Sequence, residues 1–162
     1  MREIYTILHG KKLKGDKDKA VINPYSLNEV ASIHYPKLKN VERQKINGYD
    51  IDSFKKILQK FADYLFSESI NLAKIAAEET GSPIKYHKKD IEAVIKYITY
   101  LRDGFILQET SYVYEPKGRV LILLSANEPV ILGTIPLLTA LMAGNVVYLK
   151  PSSRSPSYVN LI

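Results

Sequence analysis

Two short segments carry the residue types best suited to chemistry. Ser125-Ala-Asn-Glu-Pro129 presents a carboxamide at Asn127, and Lys150-Pro-Ser-Ser-Arg154 presents an ammonium, two hydroxyls and a guanidinium. A preorganised amide N–H can stabilise a developing oxyanion. Lys150 is a point charge that also donates to sugar hydroxyls. Ser152 and Ser153 add hydroxyls, and Arg154 can fork onto a phosphate. Such groups suit a nucleotide or an oxyanion. Each segment also has a plain structural reading: an asparagine ahead of a helix caps it, and Lys-Pro-Ser after a strand is a polar turn. The chain has no cysteine, so it holds no disulfide, no thiolate metal site and no cysteine nucleophile of its own. His9, His34 and His87 show no ligand spacing, and no metal is expected.

The two segments follow two apolar runs that read as strands. Arg119 to Leu124 is continuously apolar after its first residue, as in a parallel strand buried on both faces. Val146-Val-Tyr-Leu149 is the second run. Between them Pro129 opens an apolar helix to about Ala143, which Pro136 should bend or interrupt and Gly144-Asn145 should end. Strand, helix, strand with short connections is a right-handed βαβ unit. Ligands of an open parallel sheet bind beyond the carboxyl ends of its strands, where both segments fall. The first turn lacks Gly-x-Gly-x-x-Gly, which disfavours ordinary Rossmann dinucleotide binding there. Ser155-Pro156 begins another helix.

Earlier, Ile4 to Leu8, Ala20 to Ile22 and Val30 to Tyr35 are short β-type runs between turn residues, read as an antiparallel hairpin or meander. Asp52 or Ser53 can cap a helix whose apolar stripe is Phe54, Ile57, Leu58, Phe61 and Leu65. A second helix from about Ser67 buries Ile70, Ala73, Ala76 and Ala77 and stops at Gly81, with Pro83 beyond. A third, from about Asp90 to Arg102, buries Ile91, Val94, Ile95, Ile98 and Leu101. Thr110 to Glu115 alternates like a strand, and Pro116-Lys-Gly118 is a turn.

Composition sets limits. At 162 residues, 46% hydrophobic and 25% charged, the chain is one ordinary globular unit. Basic residues number 23 against 17 acidic, and part of the excess is Lys11, Lys12, Lys14, Lys17 and Lys19. Gly15, Asp16 and Asp18 interrupt that run without aromatic interleaving, so it reads as a solvated loop and not as a nucleic-acid site. Asn127, Glu128, Pro129 and Pro136 break the most apolar stretch, Val120 to Leu149, well before the roughly 20 apolar residues of a membrane span. With no signal-like N-terminus, the expected setting is cytoplasmic, with no membrane and no nucleic-acid partner.

Spacing joins these pieces. Glu115-Pro-Lys-Gly118, a hydrophobic strand, Asn127 followed by Pro129, and Ala143-Gly-Asn-Val-Val-Tyr-Leu-Lys-Pro-Ser152 resemble the aldehyde dehydrogenase superfamily. That family reads Glu-Pro-x-Gly, a strand, Asn-x-Pro, a helix and Ala-Gly-Asn-x-Val-x-x-Lys-Pro-Ser. The 23 positions from Asn127 to Lys150 are also its interval. Asn23-Pro24 with Glu29-Val-Ala31, and Ala76-Ala-Glu-Glu-Thr-Gly81, are similar to its earlier segments, so the resemblance covers nearly the whole chain.

The resemblance implies an α/β fold: an N-terminal segment of antiparallel strands and helices over 1–110, a possible oligomerisation strand over 111–115, and over 116–162 the first βαβ unit of an incomplete Rossmann-type sheet. It implies that Asn127 supports the oxyanion of a thiohemiacetal and that Lys150 binds the adenosine ribose. It further implies that Leu123, Leu124, Ser125 and Ala126 line the dinucleotide, with Ser152, Ser153 and Arg154 in the ribose turn. The implied cofactor is NAD or NADP, and the implied substrate is a small aldehyde or acyl-CoA. Ala126-Asn-Glu-Pro129 stands where the family often has Trp-Asn-Phe-Pro, which places Glu128 near the oxyanion site and points to a divergent, acyl-CoA reductase-like branch. Ser153 stands where NAD-preferring members often have Glu, so NADP is expected to be accepted at least as well as NAD. The family's catalytic cysteine, general-base glutamate and later glycines lie beyond residue 162. The expected partner is therefore a missing C-terminal half or further copies of the chain, and the catalytic domain is expected to be absent. The alternative is a non-catalytic nucleotide-binding or protein-interaction remnant of the fold.

Overall fold

Short runs of β-forming residues at the start of the chain build the first sheet. The computed structural model describes residues 1–8, 10–13, 15, 17–36, 50–103 and 115–162. Strands β1 (Arg2–Leu8), β2 (Lys11–Leu13), β3 (Lys17–Ile22) and β4 (Glu29–Tyr35) pair in the order β2-β1-β4-β3. The expected meander is corrected. The outer pairs β1/β2 and β3/β4 are antiparallel, but β1 and β4 run parallel, with Ile4 opposite Ile33. Burial explains the order: Ala31, Ser32, Ile33 and His34 are all buried, so β4 takes the interior. Ile4, Val21, Ala31 and Ile33 then form one small core. The lysine run is corrected too. Lys11 and Lys12 lie in β2, and Lys17 and Lys19 in β3, not in a loop. These are the two edge strands, where the exposed Lys11, Lys12 and Lys19 discourage pairing with other chains. Lys14 lies outside the described residues.

Three helices follow. Asp50, not Asp52 or Ser53, caps α1 (Ile51–Ser67), accepting from the Asp52 amide at 3.1 Å and from the Ser53 hydroxyl. Leu58, Ala62 and Leu65 are its buried stripe, whereas Ile57 is 58% exposed. Helix α2 (Ser69–Thr80) buries Leu72, Ala73, Ile75 and Ala76, and leaves Ile70 outside. It ends at Gly81, whose φ of 76° is left-handed and whose N–H meets Ala77 O at 2.9 Å. Helix α3 (Ile84–Asp103) starts six residues before the expected Asp90, immediately after Pro83, and packs against both earlier helices. The expected strand over 110–115 falls almost entirely outside the described residues, and Glu115 itself lies in no strand.

Strands β5 (Arg119–Leu123) and β6 (Val146–Lys150) pair in parallel around helix α4 (Pro129–Met142), which gives the expected βαβ unit. Pro136 does not interrupt α4. Burial on both faces of β5 is corrected: Leu121 and Leu123 are 63% and 67% exposed, because only one face of the strand meets α4. Gly133 admits close packing of the short helix α5 (Ser157–Leu161): a Cβ there would stand 3.0 Å from Val159 Cγ2. Leu58, Leu65, Leu72, Ile91, Ile98, Leu101, Val130 and Tyr158 form the main core. Each such apolar side chain contributes about 1.5–3 kcal/mol on burial. Among the described residues no helix is long and apolar enough to cross a membrane.

Candidate functional site

The parallel register sets Leu123 beside Lys150, and Leu124 N–H donates to Lys150 O at 3.1 Å. Beyond this last rung the two chains part, one toward α4 and the other toward α5. Leu123, Leu124, Ser125 and Ala126 therefore share one sheet end with Lys150, Ser152, Ser153 and Arg154, as the spacing predicted. A bond absent from that reading holds the two loops together: buried Ser155 donates its hydroxyl proton to Ala126 O at 2.8 Å. The Arg154 N–H meets Ser152 Oγ at 3.2 Å and tightens the turn. Lys150 is exposed, with its ammonium 3.4 Å from Pro151 O. A second unforeseen contact comes from β3, where Lys19 Nζ donates to Ser153 Oγ at 3.0 Å. No carboxylate pairs with Lys19, Lys150 or Arg154 among the described residues. Cations without a carboxylate partner among the described residues, set beside half-buried hydroxyls, suit an anionic sugar-phosphate.

Asn127 stands exposed one residue before the α4 N-cap. The N-cap is Glu128, and no side chain caps this helix, so the Asn127 amide is not spent on the structural role open to it. Glu128 is exposed and lies close enough to His87 and Asp90 at the start of α3 to bias the proton affinity of both. Its charge is thus shared with α3 as well as with the Asn127 loop. Two shallow surface concavities lie away from these loops. One is lined by Arg2, Asn23, Glu29 and Glu78, another by Tyr25, Lys74, Gly81 and Ile84. The strand-end loops form an open edge.

The framework behind the edge uses Asn145 and Glu79, which the sequence marked only as motif letters, together with residues that it did not mark. Asn145 accepts from Gly118 N–H at 3.0 Å and donates to Ala140 O at 3.0 Å, tying the end of α4 to the start of β5. Buried Glu79 accepts from the backbone N–H of Ser157 at 3.0 Å and from its hydroxyl, and Arg2 reaches the same carboxylate at 3.5 Å. Burial pushes the Glu79 carboxyl above its ordinary range, and the Ser157 bonds and Arg2 pull it partly back. Burial pushes the Tyr158 hydroxyl up to about 12, which keeps it protonated beside Thr134, 2.9 Å away.

Comparison with known proteins adds the lineage. The family model described as "Aldehyde dehydrogenase family" matches residues 14–162. Lactaldehyde dehydrogenase of Methanocaldococcus jannaschii is 29% identical over 86% of this chain and 34% of its own length. D-glyceraldehyde dehydrogenase (NADP(+)) of Thermoplasma acidophilum is 32% identical over 62% of this chain and 23% of its own. Among solved structures, an NAD+ complex of aldehyde dehydrogenase from Bacillus cereus superposes with a TM-score of 0.84 at 19% identity, over 99% of this chain and 38% of that one. 3,6-Anhydro-L-galactose dehydrogenase in complex with NAP gives 0.80 at 20% identity, over 99% and 38%. The chain thus spans about a third of the length of the lactaldehyde dehydrogenase it matches. With a family match over nearly all its residues and the α/β fold of that family's N-terminal segment, the chain belongs to the aldehyde dehydrogenase family.

Proposed function

We propose that this chain forms the N-terminal, cofactor-side part of an NAD(P)-dependent oxidoreductase acting on an aldehyde or acyl-CoA, and that alone it binds the dinucleotide without turnover. One observation carries the reading: the parallel register brings Leu123 to Ala126 and Lys150 to Arg154 to a single sheet end whose cations have no carboxylate partner among the described residues. Lys150 donates to the adenosine ribose, Ser152 and Ser153 supply hydroxyl partners, and the backbone of Leu123 to Ala126 lines the cofactor. The nicotinamide, when bound, exchanges hydride with the substrate carbon. Asn127 donates its amide to the oxyanion that forms when a thiol adds to the substrate carbonyl. With no cysteine among these 162 residues, that thiol must come from a segment beyond them.

The lack of cysteine also favours a second reading, a non-catalytic nucleotide-binding module. The two readings separate on whether the coding sequence continues into a segment bearing the cysteine and glutamate. For this chain alone the expected outcome is the same. Purified protein assayed with aldehydes and NAD(P), and with acyl-CoA and NAD(P)H, gives no turnover, because oxyanion stabilisation without a nucleophile leaves only a small residual rate. Sustained turnover proportional to protein concentration would overturn the assignment of the nucleophile to a missing segment.

A further inference from the structure

We infer that Lys19, in the N-terminal sheet, is a specificity-determining residue that recognises a phosphate on the 2′ oxygen of the bound nucleotide's ribose. The inference rests on the proposed dinucleotide reading of the strand-end loops and extends it to a part of the chain remote in sequence.

Within β3, Lys19 lies two residues before Val21 and so projects from the same face of the strand. Val21 is buried against Ala31 and its neighbours, which makes this the face turned toward the rest of the molecule. Lys19 itself is exposed at the rim of that face, and its ammonium ends 3.0 Å from Ser153 Oγ, 134 positions further along the chain. Two other bonds fix the sheet against that region. Asn160 donates to Tyr5 O at 2.9 Å, and Arg2 Nε donates to Ser157 Oγ at 3.2 Å. The docking of the sheet thus places Lys19 beside the turn.

The chemistry of the contact is unfinished. An ammonium has three donors, and one neutral hydroxyl engages one of them without neutralising the charge. Arg154 is the next residue after Ser153, Lys150 precedes it by three, and no described carboxylate pairs with any of the three cations. A group carrying up to two negative charges and three acceptor oxygens, placed at Ser153, would satisfy this arrangement through charge-assisted hydrogen bonds. A ribose bearing a free 2′-hydroxyl would not need Lys19, because the neutral Ser153 already offers a hydroxyl partner.

The test uses the full chain and two small probes, 2′,5′-ADP and 5′-AMP, which differ only in the phosphate concerned. Dissociation constants are measured by calorimetry for the parent, Lys19→Met and Lys19→Arg, with circular dichroism confirming the fold of each. Lys19→Met should weaken 2′,5′-ADP by about tenfold or more, the scale of a lost hydrogen bond to a charged group. It should leave 5′-AMP within about twofold, and Lys19→Arg should retain most of the affinity for 2′,5′-ADP. If Lys19→Met does not fold, Lys19→Gln, which keeps a polar end, takes its place in the comparison. Equal losses for the two probes, or no loss for either, would overturn the role of Lys19 while leaving nucleotide binding intact. Failure of the parent to bind either probe would overturn the dinucleotide reading itself, and the inference with it.

Discussion

His87 is a buried side chain whose hydrogen bonds fix its tautomer. The single hydroxyl proton of Thr80 goes to Ala76 O at 2.8 Å, and the same oxygen accepts from Ser82 N–H at 3.1 Å. The remaining contact, 2.8 Å to His87 Nε2, must therefore be donated by the ring. Nδ1 is then bare, 3.7 Å from Asp90 Oδ2. Burial lowers the His87 pKa below 6.5 despite the opposing pull of Asp90 and Glu128. A histidine with a depressed pKa binds fewer protons folded than unfolded. Its contribution is complete above 6.5 and is lost as the pH falls below that value. Urea unfolding of the parent and of His87→Gln, between about pH 5 and 7.5, should show a smaller loss of stability on acidification in the variant. Equal losses would refute the assignment. Nothing in the sequence marked this site, because His87 reads there as one histidine among charged residues.

Elements show where local pattern suffices and where it fails. The stripe of α3 was legible from its period, as were Leu58 and Leu65 of α1, the βαβ unit and the stop at Gly81, because spacing of three and four or a glycine after a helix has a local cause. The early start of α3 was not, since Ile84 to Lys89 is mostly exposed and polar and carries no apolar stripe. Strand order in the first sheet depends on which strand the rest of the molecule buries, a fact that no single strand encodes. The same holds for the candidate site: the place of Asn127 and Lys150 beyond the strand ends was legible in the sequence, whereas the bonds of Lys19 to Ser153 and of Ser155 to Ala126 join distant parts of the chain. Gly81 shows the cost of breaking a local rule. A Cβ there would occupy a left-handed backbone, itself a penalty of about 1–2 kcal/mol, and would stand 2.8 Å from Pro24 Cγ. Gly81→Ala should lower the thermal midpoint and the urea midpoint together. An unchanged or raised midpoint would show that the turn relaxes without cost.

At the scale of the whole molecule, the sheet that carries the candidate site is covered on one side only. Leu121 and Leu123 present a bare apolar face, and β5 and β6 are the only strands of that sheet among the described residues. Exposed apolar surface beside strand edges favours association. Sedimentation of the isolated chain should show concentration-dependent self-association that Leu121→Lys with Leu123→Lys suppresses. A parent that stays monomeric without binding a surface dye would contradict this. The proposed function rests on the sheet end itself, and Lys150 is the residue that most directly joins its geometry to a nucleotide. The decisive measurement is the dissociation constant of NADP and of NAD for the parent chain and for Lys150→Ala, with circular dichroism confirming that both are folded. The expected result is saturable binding to the parent and a loss of about tenfold or more in the variant for both cofactors, since the ribose contact is common to them. Absence of saturable binding to the folded parent, or equal affinity in the variant, would contradict the assignment of this edge as the dinucleotide site.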